Sequence, residues 1–268
     1  MLFWYNLLVE EFVMDFEIID FHTHPFLEAR DNSSAHRDID PINVDMFAFD
    51  LERCGITRFA GSVICCRESA SEAMYTSNRA AEELKEIYGD KYIPGIMIDA
   101  NLIDESVAEI DRAALRGVKL IGELVPHAMK WSFSDASFRN ILDYTNGKGY
   151  VYSMHTFDDI EPLVGLARDY KDTDFVLAHP GEKVRLLRHI EAMKKYDNIY
   201  LDLSGTGLFR FGMLKRLIEQ VGAERILFGT DHPICNPAMY VAGVMHERIS
   251  ERDMSLIFSE NAKRLLKI

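Results

Sequence analysis

Eight short β-rich runs, each followed by a stretch with helical spacing, constrain this chain more than any other feature of its sequence. The runs are "FEIIDFHTH" (16–24), "RFAGSVIC" (58–65), "YIPGIMID" (92–99), "GVKLIGEL" (117–124), "YVYSMHT" (150–156), "DFVLAHP" (174–180), "NIYLDLSG" (198–205) and "RILFGTDHP" (225–233). Several are apolar on both faces, as parallel strands covered on each side must be. Between them, "SEAMYTSNRAAEELKEIYG" places Met74, Ala81, Leu84 and Tyr88 at helical offsets and stops at Gly89. "DESVAEIDRAALRG" opens acidic and ends in Arg-Gly, as the helix dipole and a glycine cap favour. "SERDMSLIFSENAKRLLKI" starts with Ser250 three residues before Asp253, in the manner of a capping box. Such alternation predicts a parallel sheet. Eight units in 268 residues favour a closed (β/α)8 TIM barrel over an open doubly wound sheet. No GxGxxG follows any strand, so a dinucleotide-binding open sheet has no support.

The rest of the composition narrows the partners. A formal net charge of −13 argues against a nucleic-acid surface and against docking on anionic lipid, both of which need clustered Lys and Arg. No apolar run reaches the roughly 20 residues that span a bilayer. Cys54, Cys65, Cys66 and Cys235 form neither a CxxC pair nor a disulfide framework, so free thiols in a reducing cytoplasm are expected. Residues 1–15 read as an N-terminal extension ahead of a single catalytic domain over 16–268, with Met14 a candidate natural start. The extension lacks the basic start and small-residue cleavage site of a signal peptide, and carries Glu10 and Glu11.

Two histidines one residue apart, His22 and His24, end the first run. A strand repeats every two residues, so Asp20, His22 and His24 project to one side. They are either a hydrogen-bonded core pair or a chelate. The other runs decide between these. In a barrel the chemistry sits at the C-terminal strand ends, and there the fourth run brings Glu123, the fifth His155, the sixth His179 and the eighth Asp231 and His232. Core histidines would scatter along the elements; these gather at one rim, which is therefore read as a metal site. Imidazoles about 6.6 Å apart along a strand converge on one ion if the strand end tilts. Pro25, Pro180 and Pro233 are expected to hold His24, His179 and His232 extended. A buried Asp231 without a cation beside it would be costly.

The ordered set of HxH on strand one, histidines ending strands five and six, and Asp in "FGTDHP" on strand eight resembles the amidohydrolase superfamily, in particular its amidohydrolase-related branch of small metal-dependent hydrolases and decarboxylases. The resemblance runs from about Met14 to Ile268. It implies His22, His24 and Asp231 as ligands of a first metal, and His155 as a ligand of that metal or of a second. It makes His179 a second-metal ligand or a base that handles the substrate's proton. Glu123 departs from many members of the branch and matches those in which a "GE" on strand four supplies a bridging or direct ligand. Otherwise it is a structural partner of Lys119 or Arg116. Lys119 as a carbamylated bridge sits deep for that role. One or two divalent ions are implied, zinc foremost, with manganese or iron as alternatives, and a homodimer is implied as the assembly.

The activity expected is metal-assisted hydrolysis of a small-molecule amide, lactone or related carbonyl-centred bond, with Asp231 as general base and then acid. One alternative is non-oxidative decarboxylation of a small aromatic or unsaturated acid; another is a non-catalytic ligand-binding barrel. Arg67 is a candidate clamp for a substrate carboxylate, or else a solvated arginine. His127 and Lys130, beyond strand four, and His36 and Arg30, in the first loop, are either solvated loop charges, the reading favoured, or groups that reach over the mouth, with His127 the candidate substrate contact. His232 is expected to brace its strand, His189 and His246 to lie on helix surfaces, and Asp20 to orient a ligand histidine from the layer below.

Overall fold

Apolar, β-branched runs pair side by side, and each run is returned to the sheet by a helix. The structure is a computed structural model, which describes residues 16–34, 42–156, 159–207 and 210–268. Its strands are β1 (Ile18–Asp20), β2 (Ile56–Ser62), β3 (Tyr92–Ile96), β4 (Leu120–Leu124), β5 (Val151–Met154), β6 (Asp174–Leu177), β7 (Ile199–Asp202) and β8 (Ile226–Leu227). They pair in parallel in chain order. The first and last strands close the ring: Phe21 N donates to Phe228 O, Asp231 N to His22 O and His24 N to His232 O, each at 2.8 Å. The anticipated (β/α)8 barrel is the fold.

All eight strands fall inside the runs read from the sequence or within two residues of them, but most stop two to six residues early. The reason is local. Past the regular ladder the chain bends at this end of the barrel, and neighbouring strands stay joined only by single hydrogen bonds such as His155 N to Leu124 O and by the isolated bridge between Thr23 and His232. These irregular ends carry His22, His24, His155, His179 and Asp231. The proposed extension over 1–15 lies outside the described residues, as does His36.

Around the strands run α1 (Val44–Arg53), α2 (Ala70–Tyr88), α3 (Ile103–Ala114), α4 (Ala136–Thr145), α5 (Glu161–Asp169), α6 (Lys183–Lys195), α7 (Met213–Val221) and α8 (Pro237–Met245). Side-chain caps start several of them. Asn43 accepts from Met46 N, Ser69 from Glu72 N and Asn236 from Ala238 N, each satisfying an amide that has no partner within its helix. Gly89 ends α2 at φ 57°, a conformation that glycine adopts without strain. The chain finishes as α9 (Glu251–Ser255), a π turn (Leu256–Glu260) and α10 (Asn261–Leu266), with Ser250 Oγ accepting from Asp253 N at 3.1 Å. Asn261 Nδ2 ties this segment to the approach of β8 through Ala223 O and Ile226 O.

Burial divides the apolar residues into two layers. One lies between strands and helices and includes Ile18, Leu84, Ile110, Leu142, Tyr152 and Phe175. The other gathers Ile19, Phe21, Ala60, Leu120, Val151, Val176 and Leu227 with Ala262, Leu265 and Leu266 of α10. Each such aliphatic side chain is worth about 1.5–3 kcal/mol of burial. Among the described residues, no helix is long and apolar enough to cross a membrane.

His189 corrects an expectation. It is fully buried on the inner stripe of α6 with Leu186, Ile190 and Met193, at offsets of three, four and seven residues. The helical period thus contained the signal; the polarity of the ring masked it. His246 is exposed, as expected.

Candidate metal centre

The chain bends at Phe21, just beyond β1, and the two rings that follow turn toward each other. His22 Nε2 and His24 Nε2 stand 3.3 Å apart, with the ring planes at 89°. Asp20 does not orient either ring, which corrects the expectation. Its carboxylate accepts from the backbone amides of His22 and Thr230 and from the Thr230 hydroxyl, so it ties β1 to β8. Burial outweighs those bonds and pushes Asp20 up to about 7.

Glu123, near the end of β4, stands between two groups of imidazoles. Its Oε2 lies 3.4 Å from His24 Nε2 and 3.5 Å from His22 Nε2. Its Oε1 lies 2.9 Å from His155 Nδ1 and 3.0 Å from His179 Nε2. Asp231 completes the first group, with Oδ1 3.2 Å from His24 Nε2 and 3.6 Å from His22 Nε2. His22, His24 and Asp231 form one cluster of potential ligand atoms; His22, Glu123 and His179 form a second. Glu123 therefore contacts neither Lys119 nor Arg116: Arg116 pairs with Glu82, while Lys119 lies over the Tyr150 ring, distant in role from the cluster.

His179 and Asp231 have φ of 65° and 68°, left-handed conformations that cost a non-glycine residue energy and are kept only where surroundings enforce them. Pro180 consequently does not hold His179 extended. The steric bias before proline acts against the right-handed helical region and leaves this other departure open.

Charge and burial at this rim set the chemistry. His22, His24, Glu123, His179 and Asp231 are all buried, while the His155 side chain keeps 24% of its exposure. Burial opposes the charged form of Glu123, yet His22, His155 and His179 hold it well below the usual carboxylate range. Burial likewise opposes a charge on His24, but Asp231 and Glu123 outweigh it and raise the ring to about 9. His22 is raised well above its ordinary value, against burial, by Asp202 and Glu123. The cluster thus demands positive charge beside its carboxylates. Asp231 Oδ1 is buried with no hydrogen-bond partner, an expensive state for a carboxylate oxygen. Nitrogen and oxygen donors that crowd one another, with an orphan oxygen among them, suit a divalent cation.

Two residues that sequence reasoning passed over stand behind the rings. Asp202 Oδ2 lies 2.9 Å from His22 Nδ1. Ser204 Oγ lies 3.1 Å from His22 Nδ1 and 3.1 Å from His179 Nδ1, and contacts Asp202 Oδ1. Both are fully buried. The rule applied to Asp231, that a carboxylate ending a buried strand needs a partner, would have found Asp202 in "YLDLSG".

The remaining candidates separate. Arg67 makes a bidentate pair with Asp31, at 2.6 and 2.8 Å, so it is neither solvated nor free to grip a ligand. His127 is exposed, its ring centre 5.9 Å from that of His155. Lys130 is exposed, and Arg30 pairs with Glu28. His232 packs on Phe47 at 4.6 Å and braces the strand as expected, and burial lowers its ring to about 4.

Solved structures share this architecture. An uncharacterized TIM-barrel protein from Bordetella bronchiseptica superposes with a TM-score of 0.75 at 20% identity, covering 94% of this chain and 98% of that one. A dihydroxybenzoic acid decarboxylase from a Polaromonas species, with bound manganese and the inhibitor 2-nitroresorcinol, gives 0.69 at 18% identity, covering 94% and 97%. An amidohydrolase from Burkholderia multivorans with bound zinc gives 0.67 at 18% identity, covering 94% and 99%. No curated protein matches the chain. The amidohydrolase family profile matches residues 19–268, which takes in β1 from its second residue, the seven other strands and every residue of the rim cluster; the chain belongs to the amidohydrolase family.

Proposed function

We propose that the protein is a metal-dependent hydrolase of a small-molecule amide, lactone or related carbonyl-centred bond, working with two divalent cations. The observation that carries this reading is the division of Glu123, whose two oxygens face different sets of nitrogens. His22, His24 and Asp231 would hold one ion, His155 and His179 the other, and Glu123 would reach both. Zinc suits such a mixed nitrogen and oxygen set, with manganese and iron as alternatives. When bound, the cations supply Lewis acidity, which polarises a carbonyl and lowers the pKa of water.

The chain's own groups supply the rest. Asp231 turns Oδ1 toward the imidazoles, and its other carboxylate oxygen accepts a proton from the attacking water as the water oxygen adds to the carbonyl carbon. It then returns that proton to the leaving nitrogen or oxygen as the bond breaks. His155, the most open member of the set, and exposed His127 beside it face incoming substrate and orient it.

A second reading has one observation in its favour: the likeness in fold to a dihydroxybenzoic acid decarboxylase. Against it, the arginine suited to grip a substrate carboxylate is already committed to Asp31. Elemental analysis of the purified protein, with turnover assays on lactones, amides and aromatic acids, decides between them. Two ions per chain and hydrolysis are expected. One ion per chain with carbon dioxide released from an aromatic acid would overturn the hydrolase in favour of the decarboxylase, and tight binding without turnover of any class would leave a non-catalytic barrel.

A further inference from the structure

We propose that Asp202 and Ser204 are positioning residues that fix the tautomers of His22 and His179, and that they serve the two halves of the centre unequally. The inference rests on the two-cation reading above and extends it to residues that touch neither ion.

The protons available at Ser204 decide the tautomers. A serine hydroxyl has one proton to give and two lone pairs to offer. Ser204 Oγ has three polar neighbours: Asp202 Oδ1, His22 Nδ1 and His179 Nδ1. A carboxylate accepts only, so the hydroxyl proton goes to Asp202 Oδ1. The lone pairs then face both Nδ1 atoms, which must be the protonated nitrogens of their rings. The Nε2 of each ring, on the side of Glu123 at 3.0 Å for His179 and 3.5 Å for His22, is then the nitrogen left to meet a cation in place of a proton. A ring that binds a metal through one nitrogen takes its tautomer and orientation from the bond made by the other.

The two rings are not equally dependent on the hydroxyl. His22 Nδ1 has a second acceptor, Asp202 Oδ2, at 2.9 Å. For His179 Nδ1, Ser204 Oγ at 3.1 Å is the one hydrogen-bond partner among the described residues. Local geometry leaves the hydroxyl little freedom. Ser204 N donates to Asp202 Oδ1 at 2.9 Å, locking the turn. A Cβ on Gly205 would stand 2.3 Å from His179 Nδ1, and one on Gly229 would stand 2.9 Å from His22 Cβ and 3.3 Å from Ser204 Cβ. Both glycines therefore keep the space in which serine and rings meet.

Cobalt(II) titration of the metal-stripped protein, followed by visible absorption and by elemental analysis, tests the assignment without recourse to activity. Wild type is expected to fill two sites. Ser204→Ala should weaken the site of His155 and His179 by about 10–100-fold and leave the other nearly unchanged. Asp202→Asn should show the reverse preference. Thermal melting of the metal-free variants checks that each is folded. Should Ser204→Ala prove unstable, Ser204→Gly is the substitute, since it also removes the hydroxyl and should weaken the same site. Equal weakening of both sites by Ser204→Ala, or of neither, would overturn the assignment. A wild-type protein that fills one site alone would instead remove the two-cation reading itself, and that outcome is seen before any substitution is made.

Discussion

Asp231 is a buried carboxylate whose Oδ1 has no hydrogen-bond partner and whose backbone is held in a left-handed conformation. Neither feature helps the fold stand, and both aim one oxygen at His22 and His24. Asp231→Asn keeps the shape and removes the charge and the basicity. It should therefore abolish metal-dependent turnover while the far-ultraviolet circular dichroism stays that of wild type; His22→Ala should do the same by taking away a ligand. Near-normal activity in either variant at equal metal content would mean that the roles are misassigned. Arg67 teaches the opposite lesson. A lone arginine after a strand reads as a clamp for an anion, but the loop after β1 brings Asp31 to it from 36 residues away. Whether a charged side chain is available depends on partners remote in the chain, and residue type does not disclose them.

At the scale of elements, helix α6 shows how a polar residue acts once its period buries it. His189 lies on the inner stripe with Nδ1 near Pro180 O at 3.3 Å and Nε2 without a partner. Burial pushes its ring down to about 4 from the ordinary 6.5. A ring with a depressed value in the folded state costs nothing above the unfolded value and resists protonation below it. Stability should thus be complete above about pH 6.5 and decline as the pH falls from there toward about 4, with little further loss from this group below that. At roughly 1.4 kcal/mol per unit the loss approaches about 3 kcal/mol. Urea unfolding at a series of pH values checks it: His189→Gln should flatten this part of the profile, and an unchanged slope would exclude the ring as its source.

The strands were legible because short apolar runs recur eight times, and the rim residues because polar side chains interrupt those runs at one end. What stayed hidden was contact between separate strands. Asp202 answers His22 across 180 residues, and no spacing rule spans that distance. Bends at strand ends were equally hidden: pure alternation put Asp20 on the face of His22 and His24, whereas the turn at Phe21 sends it to Thr230 instead.

For the whole molecule, the cluster is a debt incurred at folding, with carboxylates and imidazoles withdrawn from water and one oxygen left unsatisfied. A cation that binds the folded chain alone stabilises it by mass action, about 2.7 kcal/mol at a free concentration one hundred times the dissociation constant. Chelation should therefore lower the melting temperature, and zinc should restore it in proportion to the logarithm of its concentration. A melting curve indifferent to both treatments would argue that no ion is held at this rim.

The closure of the barrel gives that dependence a direction. The ring is completed where Phe21, His22 and His24 meet Phe228, Asp231 and His232, and a cation gripped by His22, His24 and Asp231 would act as a rivet across this joint. Pulled apart by its two ends, the loaded molecule would have to break the rivet before the first stave could leave the last. Stripped of metal, it would open there at far lower force.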